Sequence, residues 1–230
     1  MPLSNEKKTF RRIRKAIGFL GIGLPITLVI LSLVPFFETS IQSSISAYYY
    51  TNLREIFTGV LCAVGLFLIR YVGFKNASFW KNNNLLTNLA GYMAFGIALF
   101  PTNPEEGVIK IYSLIPLQSE LLGWLHYGFA ALFFIILAIM SINIFTIGQA
   151  QNEQIPVSPI NENHIYRICG YSILLFIILI PVFSILHIFK YSTLLFEALA
   201  LFSFGISWLI KGRVLGDKGK IGERIYRELN

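Results

Sequence analysis

The feature that most constrains this chain is a series of six apolar runs: Ile17–Phe37, Ile56–Val72, Leu85–Pro101, Leu122–Ile147, Ile168–Phe189 and Leu194–Ile210. A helix needs about 20 mostly apolar residues to cross the hydrocarbon core of a bilayer. The second, third and sixth runs lie at the short end of that range. The fourth is long enough to tilt or to extend beyond the lipid. No run alternates polar and apolar residues, which argues against a β-barrel. The fold class that follows is an all-α membrane protein, a six-helix transmembrane bundle. Composition agrees: the chain is 55% hydrophobic and only 13% charged, whereas soluble domains carry about 25% charged residues.

The first run exceeds the apolar stretch of about 7–15 residues found in cleavable signal peptides, and no small-residue cleavage site closes it. It therefore reads as a retained helix, with Pro25 a place for a kink. Cys62 and Cys169 fall in different runs near opposite ends and read as two apolar thiols rather than a disulfide.

Lysine and arginine positions orient the runs. Lys7, Lys8, Arg11, Arg12, Arg14 and Lys15 precede the first run, and Lys211, Arg213, Lys218, Lys220, Arg224 and Arg227 follow the last. The second and fourth loops add Arg70, Lys75, Lys81 and Arg167. Only Arg54, Lys110 and Lys190 lie on the opposite side, so sixteen of the 19 cations share one face. Both termini are expected in the cytoplasm. The division is then residues 1–16 as a basic cytoplasmic segment, 17–210 as the transmembrane domain and 211–230 as a basic cytoplasmic tail. The loops Thr102–Leu121 and Gly148–Arg167 are too short for a core of their own. The net charge of +7 sits beside apolar segments, which suits anionic headgroups. No basic stretch is interleaved with exposed aromatics, so nucleic acid is not an expected partner.

Polar groups are costly inside a membrane, so their positions carry the most information. Ser44, Ser46, Tyr50, Arg54 and Glu55 lie in the segment leading to the second helix. His126 and Tyr127 open the fourth, His187 closes the fifth and Glu197 lies in the first turn of the sixth. All fall near the outer interface and could form a shallow polar pocket. Arg54 has the shape to hold a phosphate or carboxylate. His126, His187 and Glu197 could serve acid–base chemistry or supply a metal, but no HxxxH or HExxH spacing supports one. No cofactor is expected. The alternative is that Tyr48–Tyr50 belong to an interfacial aromatic belt, Arg54 pairs with an acid and the histidines bond between helices.

Small and polar stripes mark Thr58, Cys62 and Gly65 on the second helix and Asn84, Asn88, Gly91 and Ala98 on the third. Gly18, Gly21 and Gly23 cluster on the first. Such residues let helices approach closely. Charges are absent from the middle of the helices, which argues against an ion channel or proton pump.

Three pieces form a further pattern: SSISAYYYTNLREIFTGVLCAVGLFLI at Ser43–Ile69, NLAGYMAFGIALFPTNP at Asn88–Pro104 and LHYGFAALFF at Leu125–Phe134. The order is Ile-Ser before the second helix, Phe-Pro ending the third and His opening the fourth. It resembles the six-helix superfamily of damage-regulated autophagy modulators, lipid-remodelling proteins acting after GPI attachment, and uncharacterised bacterial relatives. The resemblance covers the first four helices. It implies six helices with cytoplasmic termini and carries over Ser46, Pro101 and His126 as motif positions, without a catalytic mechanism. The loop after the first helix lacks the Pro-Glu of the eukaryotic members, which argues against a GPI-related role. A weaker echo of alkaline ceramidases, seven-helix hydrolases with Ser, His and Asp around zinc, fails on the missing HxxxH and on Asp217, the sole aspartate, lying in the tail.

The expected function is an integral, multi-pass protein of the plasma membrane or a bacterial inner membrane that binds or organises lipid. A metal- or acid–base-dependent lipid hydrolase or transferase is the first alternative and a small-solute transporter the second. Whether it is an enzyme stays open. The expected partners are membrane lipid and, as an open alternative, a second copy of the chain.

Overall fold

A computed structural model describes residues 5–73, 75, 78–103, 120–147 and 161–216. Lys110, Glu153, Asp217 and the tail cations from Lys218 onward lie outside the described residues.

The fold is all-helical among the described residues. Its helices are α1 (Asn5–Ser32), α2 (Arg54–Arg70), α3 (Asn83–Leu99), α4 (Glu120–Ile139), α5 (Glu162–Ile185) and α6 (Ser192–Lys211). Each packs on the next in sequence, and α6 packs back on α1, so the six close a ring. Four segments are long and apolar enough to cross a membrane: Lys8–Ser32, Leu121–Ile144, Glu162–Ile185 and Ser192–Lys211. At 17 residues each, α2 and α3 are shorter. Large apolar side chains also face outward: Phe19, Ile30, Leu66, Tyr92, Ile168 and Ile178 are all exposed. A water-soluble surface rarely carries so much apolar area, and helices apolar on every side suit a lipid surround.

Local chemistry fixes the helix ends. The Asn82 and Asn161 side chains accept the backbone N–H of Leu85 and His164, capping α3 and α5. Pro35 lacks the N–H that would continue α1, and a short 3-10 turn at Pro35–Phe37 follows instead.

Several boundaries differ from the sequence expectation, among them the end of α1 at Ser32 rather than Phe37 and the start of α5 at Glu162 rather than Ile168. Helix α1 starts at Asn5 rather than at Ile17, because Lys and Arg are good helix formers and no Gly or Pro interrupts Asn5–Ala16. Helix α4 starts six residues before His126 rather than at it. Helix α5 ends at Ile185, which leaves His187 beyond it in a left-handed conformation with φ 48°. At its other end α4 passes into a π-helical turn, Met140–Ile144.

Glycines set the closest approaches. An added Cβ on Gly205 of α6 would meet Gly18 O of α1 at 2.7 Å, and one on Gly91 of α3 would meet Gly65 O of α2 at the same distance. Gly18, Gly65 and Gly91 of the stripes thus lie at crossings, whereas Gly23 faces open space.

Candidate functional site

The site is built on the segment between α1 and α2. After Pro35 ends α1, the chain turns back toward the bundle, and Ser46–Tyr50 form a 3-10 turn with Ser46, Ala47, Tyr48 and Tyr49 buried. The Ser44 hydroxyl accepts the Ala47 N–H at 3.0 Å and so starts that turn. Tyr48 Oη lies 2.9 Å from Ser32 Oγ, tying the turn to the end of α1. Tyr50 donates its phenol to the Thr102 carbonyl, and burial pushes that phenol up to about 12, so it stays a neutral donor at ordinary pH.

Helix α6 grips the same segment. Leu194 N–H donates to Ser43 O at 2.9 Å. The Glu197 carboxylate accepts the Ile45 N–H at 2.6 Å. Its partner is a peptide group. Arg54, which the sequence allowed to pair with an acid, lies over the Tyr49 ring at 4.9 Å.

Helix α4 supplies the third attachment. His126 is 1% exposed. Its Nε2 lies 2.8 Å from Ser46 Oγ and its Nδ1 lies 2.7 Å from Phe100 O. A carbonyl can only accept, so Nδ1 carries the proton of the neutral ring. Nε2 is then the acceptor and the Ser46 hydroxyl the donor. A hydroxyl aimed at a basic nitrogen, with the ring oriented from behind, is the arrangement that activates a nucleophile. The orienting group here is a backbone carbonyl rather than a carboxylate.

Beside this cluster lies a cavity of about 30 Å³, lined by Leu24, Phe57, Ile97, Phe133 and Leu201 with Ser46 and Glu197 as its polar members. That is room for two or three waters, each needing about 10–15 Å³. Every helix except α5 contributes to its wall.

The structure therefore brings Ser46, His126 and Glu197 together, with Ser44 and Tyr50 holding the same segment. It does not bring in Glu55 or His187, both exposed, and Arg54 stands over Tyr49. Among the described residues no three His, Cys, Asp or Glu side chains gather closely enough to hold a metal ion. No known protein family, curated protein or solved structure matches the chain. The assignment of function thus rests on the geometry.

Sequence reasoning missed the backbone members: Ile45 N–H and Phe100 O. Their one signal was position, since they are the first residues of the Ile-Ser and Phe-Pro pairs.

Proposed function

We propose that the chain is a multi-pass membrane protein with six crossing helices and both ends in the cytoplasm, and that it binds a lipid at the segment carrying Ser46, where the small cavity takes only one small group of that lipid. The observation that carries the lipid reading is an apolar cavity with Ser46 and Glu197 at its edge, which matches an amphiphile. Helices α2 and α3 reach roughly 25 Å at 1.5 Å per residue, within the range of short spans, and they sit inside the ring between two long helices. The resemblance to the autophagy-modulator superfamily is part of the proposal. Two of its three motif positions, Ser46 and His126, bond to each other, and the carbonyl of Phe100, next to the third, Pro101, bonds the other side of the same imidazole, which supports it.

Filling the cavity tests the lipid reading. Ala130 lines it, and Ala130→Phe should remove lipid that co-purifies with the protein, read by native mass spectrometry on protein that still elutes as a single monodisperse peak. Equal lipid content in both proteins would reject the cavity as the binding place. Topology is tested separately with single cysteines in a Cys62→Ala/Cys169→Ala background. Cysteines at residues 4 and 213 should react only after permeabilisation and one at Gln42 in intact cells. Labelling of either end from outside would reverse the orientation.

The donor–acceptor order of Ser46 and His126 favours a second reading, attack of Ser46 Oγ on a lipid ester, with the C–O bond of the ester breaking and the Ser46 proton passing through His126 to the leaving alcohol. Against it, Glu197 already occupies the Ile45 amide, a donor near to hand for an acyl oxyanion. Binding therefore leads. Ester hydrolysis by the purified protein that disappears in Ser46→Ala would reverse that order.

A further inference from the structure

The opposite end of the bundle holds a second polar cluster, in which the sequence had marked only charges that set topology. Arg14 of α1 donates through Nε and Nη2 to the Tyr71 hydroxyl at 3.1 and 2.7 Å, and through Nη1 to Lys211 O at 3.3 Å. Lys211, the last residue of α6, donates to Phe145 O at 2.7 Å and lies over the Phe145 and Tyr166 rings at 5.6 and 5.4 Å. The π-helical turn ends beside that carbonyl. Lys15 packs flush on α6: an added Cβ on Gly212 would meet Lys15 Cγ at 2.9 Å.

The partners of both cations are neutral carbonyls, a phenol and aromatic faces. A guanidinium has five N–H donors and an ammonium three. Each cation therefore keeps two N–H groups beyond those bonds. Arg14 and Lys211 lie close enough to repel one another. Glu162 acts on Lys211 from a distance and accepts the Tyr166 hydroxyl at 3.2 Å. Among the described residues no carboxylate stands within ion-pair distance of either cation. Half-buried cations with spare donors and no close counterion form a site for an anion from outside the protein.

We infer that Arg14, Lys15 and Lys211 bind the phosphate of an anionic phospholipid headgroup in the leaflet at this end of the bundle. Guanidinium and ammonium together suit phosphate oxygens. Depth argues for a lipid source: Arg14 lies one turn before the apolar run from Ile17, and Lys211 ends the apolar stretch of α6, so both stand at headgroup level. The inference depends on the membrane reading above but not on the cavity at the other end.

The test compares the full chain in nanodiscs of phosphatidylcholine alone and of phosphatidylcholine with phosphatidylglycerol. The anionic lipid should raise the melting temperature, and native mass spectrometry should show it retained over phosphatidylcholine. In Arg14→Gln/Lys211→Gln that preference should fall roughly thirtyfold, taking each cation near the surface at its usual strength. Ala130→Phe should leave it unchanged, which separates this site from the cavity. If the double variant does not fold, photo-crosslinkable phosphatidylglycerol decides on the wild type: label should concentrate on residues 11–15 and 208–213. Label spread evenly over the helices, no preference in the wild type, or a preference surviving in the folded double variant would each overturn the inference. An equal rise in melting temperature with inorganic phosphate in neutral detergent would overturn the lipid as the source.

Discussion

Gly205→Leu is expected to prevent recovery of folded protein, while Gly23→Leu on the facing helix is tolerated. An added Cβ on Gly205 meets Ile22 Cγ1 at 2.5 Å and Gly18 O at 2.7 Å. Ile22 could turn aside, but the Gly18 carbonyl is fixed by α1. The mirror contact holds too, since an added Cβ on Gly18 meets Gly205 O at 2.8 Å. The two backbones touch, and any side chain larger than hydrogen forces them apart. Overpacking of a core by a methylene or two costs about 1–3 kcal/mol. A leucine at a backbone–backbone contact exceeds that, against a total stability of about 5–15 kcal/mol for a typical domain. The α1–α6 contact also closes the ring, so its loss frees both ends of the chain. Gly23 has nothing within 4 Å of its Cβ position. Leucine there replaces the poorest non-proline helix former with one of the best, a gain of about 0.8 kcal/mol. Size-exclusion profiles and melting curves in detergent report both. A Gly205→Leu protein that stays monodisperse and melts with the wild type would refute the glycine crossing.

Glu197→Ala should give the second-largest loss, and Glu197→Gln a much smaller one. The carboxylate satisfies the peptide N–H of Ile45 on a segment that is itself buried. Alanine leaves that donor with no partner. A buried unsatisfied donor costs about 1–3 kcal/mol. The loss spreads, because Ser46 is also the partner of His126 and Ser43 O the partner of Leu194 N–H. Glutamine keeps a carbonyl oxygen in place and loses only the extra strength of a charged acceptor, about 1 kcal/mol. Melting temperatures should therefore fall in the order wild type, Gln, Ala. Equal melting of Gln and Ala would show that charge, rather than the acceptor, holds the segment. Melting of both with the wild type would show that Glu197 holds nothing.

The helices were legible because hydrophobicity over about 20 residues is a long signal. Each of the six apolar runs overlaps one of the helices α1–α6. Their ends were less so: the helical Asn5–Ala16 carries no apolar signal, and the break before His187 depends on a local left-handed turn that composition does not mark. The pocket was legible in part. Ser46, His126 and Glu197 could be placed at one depth by counting from run ends, and they do meet. Counting depth says nothing about azimuth, however, which is why Arg54 and His187 could be grouped with them although one lies over Tyr49 and the other is exposed. The partner of Glu197 was illegible for a different reason. Every residue offers the same N–H, so no side-chain pattern announces that Ile45 supplies it.

The short helices carry one more consequence if the six-span proposal holds. At 1.5 Å per residue, the 24 residues of the apolar span Leu121–Ile144 reach about 36 Å and the 17 residues each of α2 and α3 about 25 Å. A hydrocarbon core is about 30 Å thick. The protein would then meet the bilayer as a wedge, overlong on the α4 side and too short on the α2–α3 side. Lipid would stretch against one flank and compress against the other, at a fraction of a kcal/mol per Å of mismatch. Such a body settles most easily where thickness already changes, at the border between thick and thin membrane, and sorts by bilayer dimension before any headgroup is recognised.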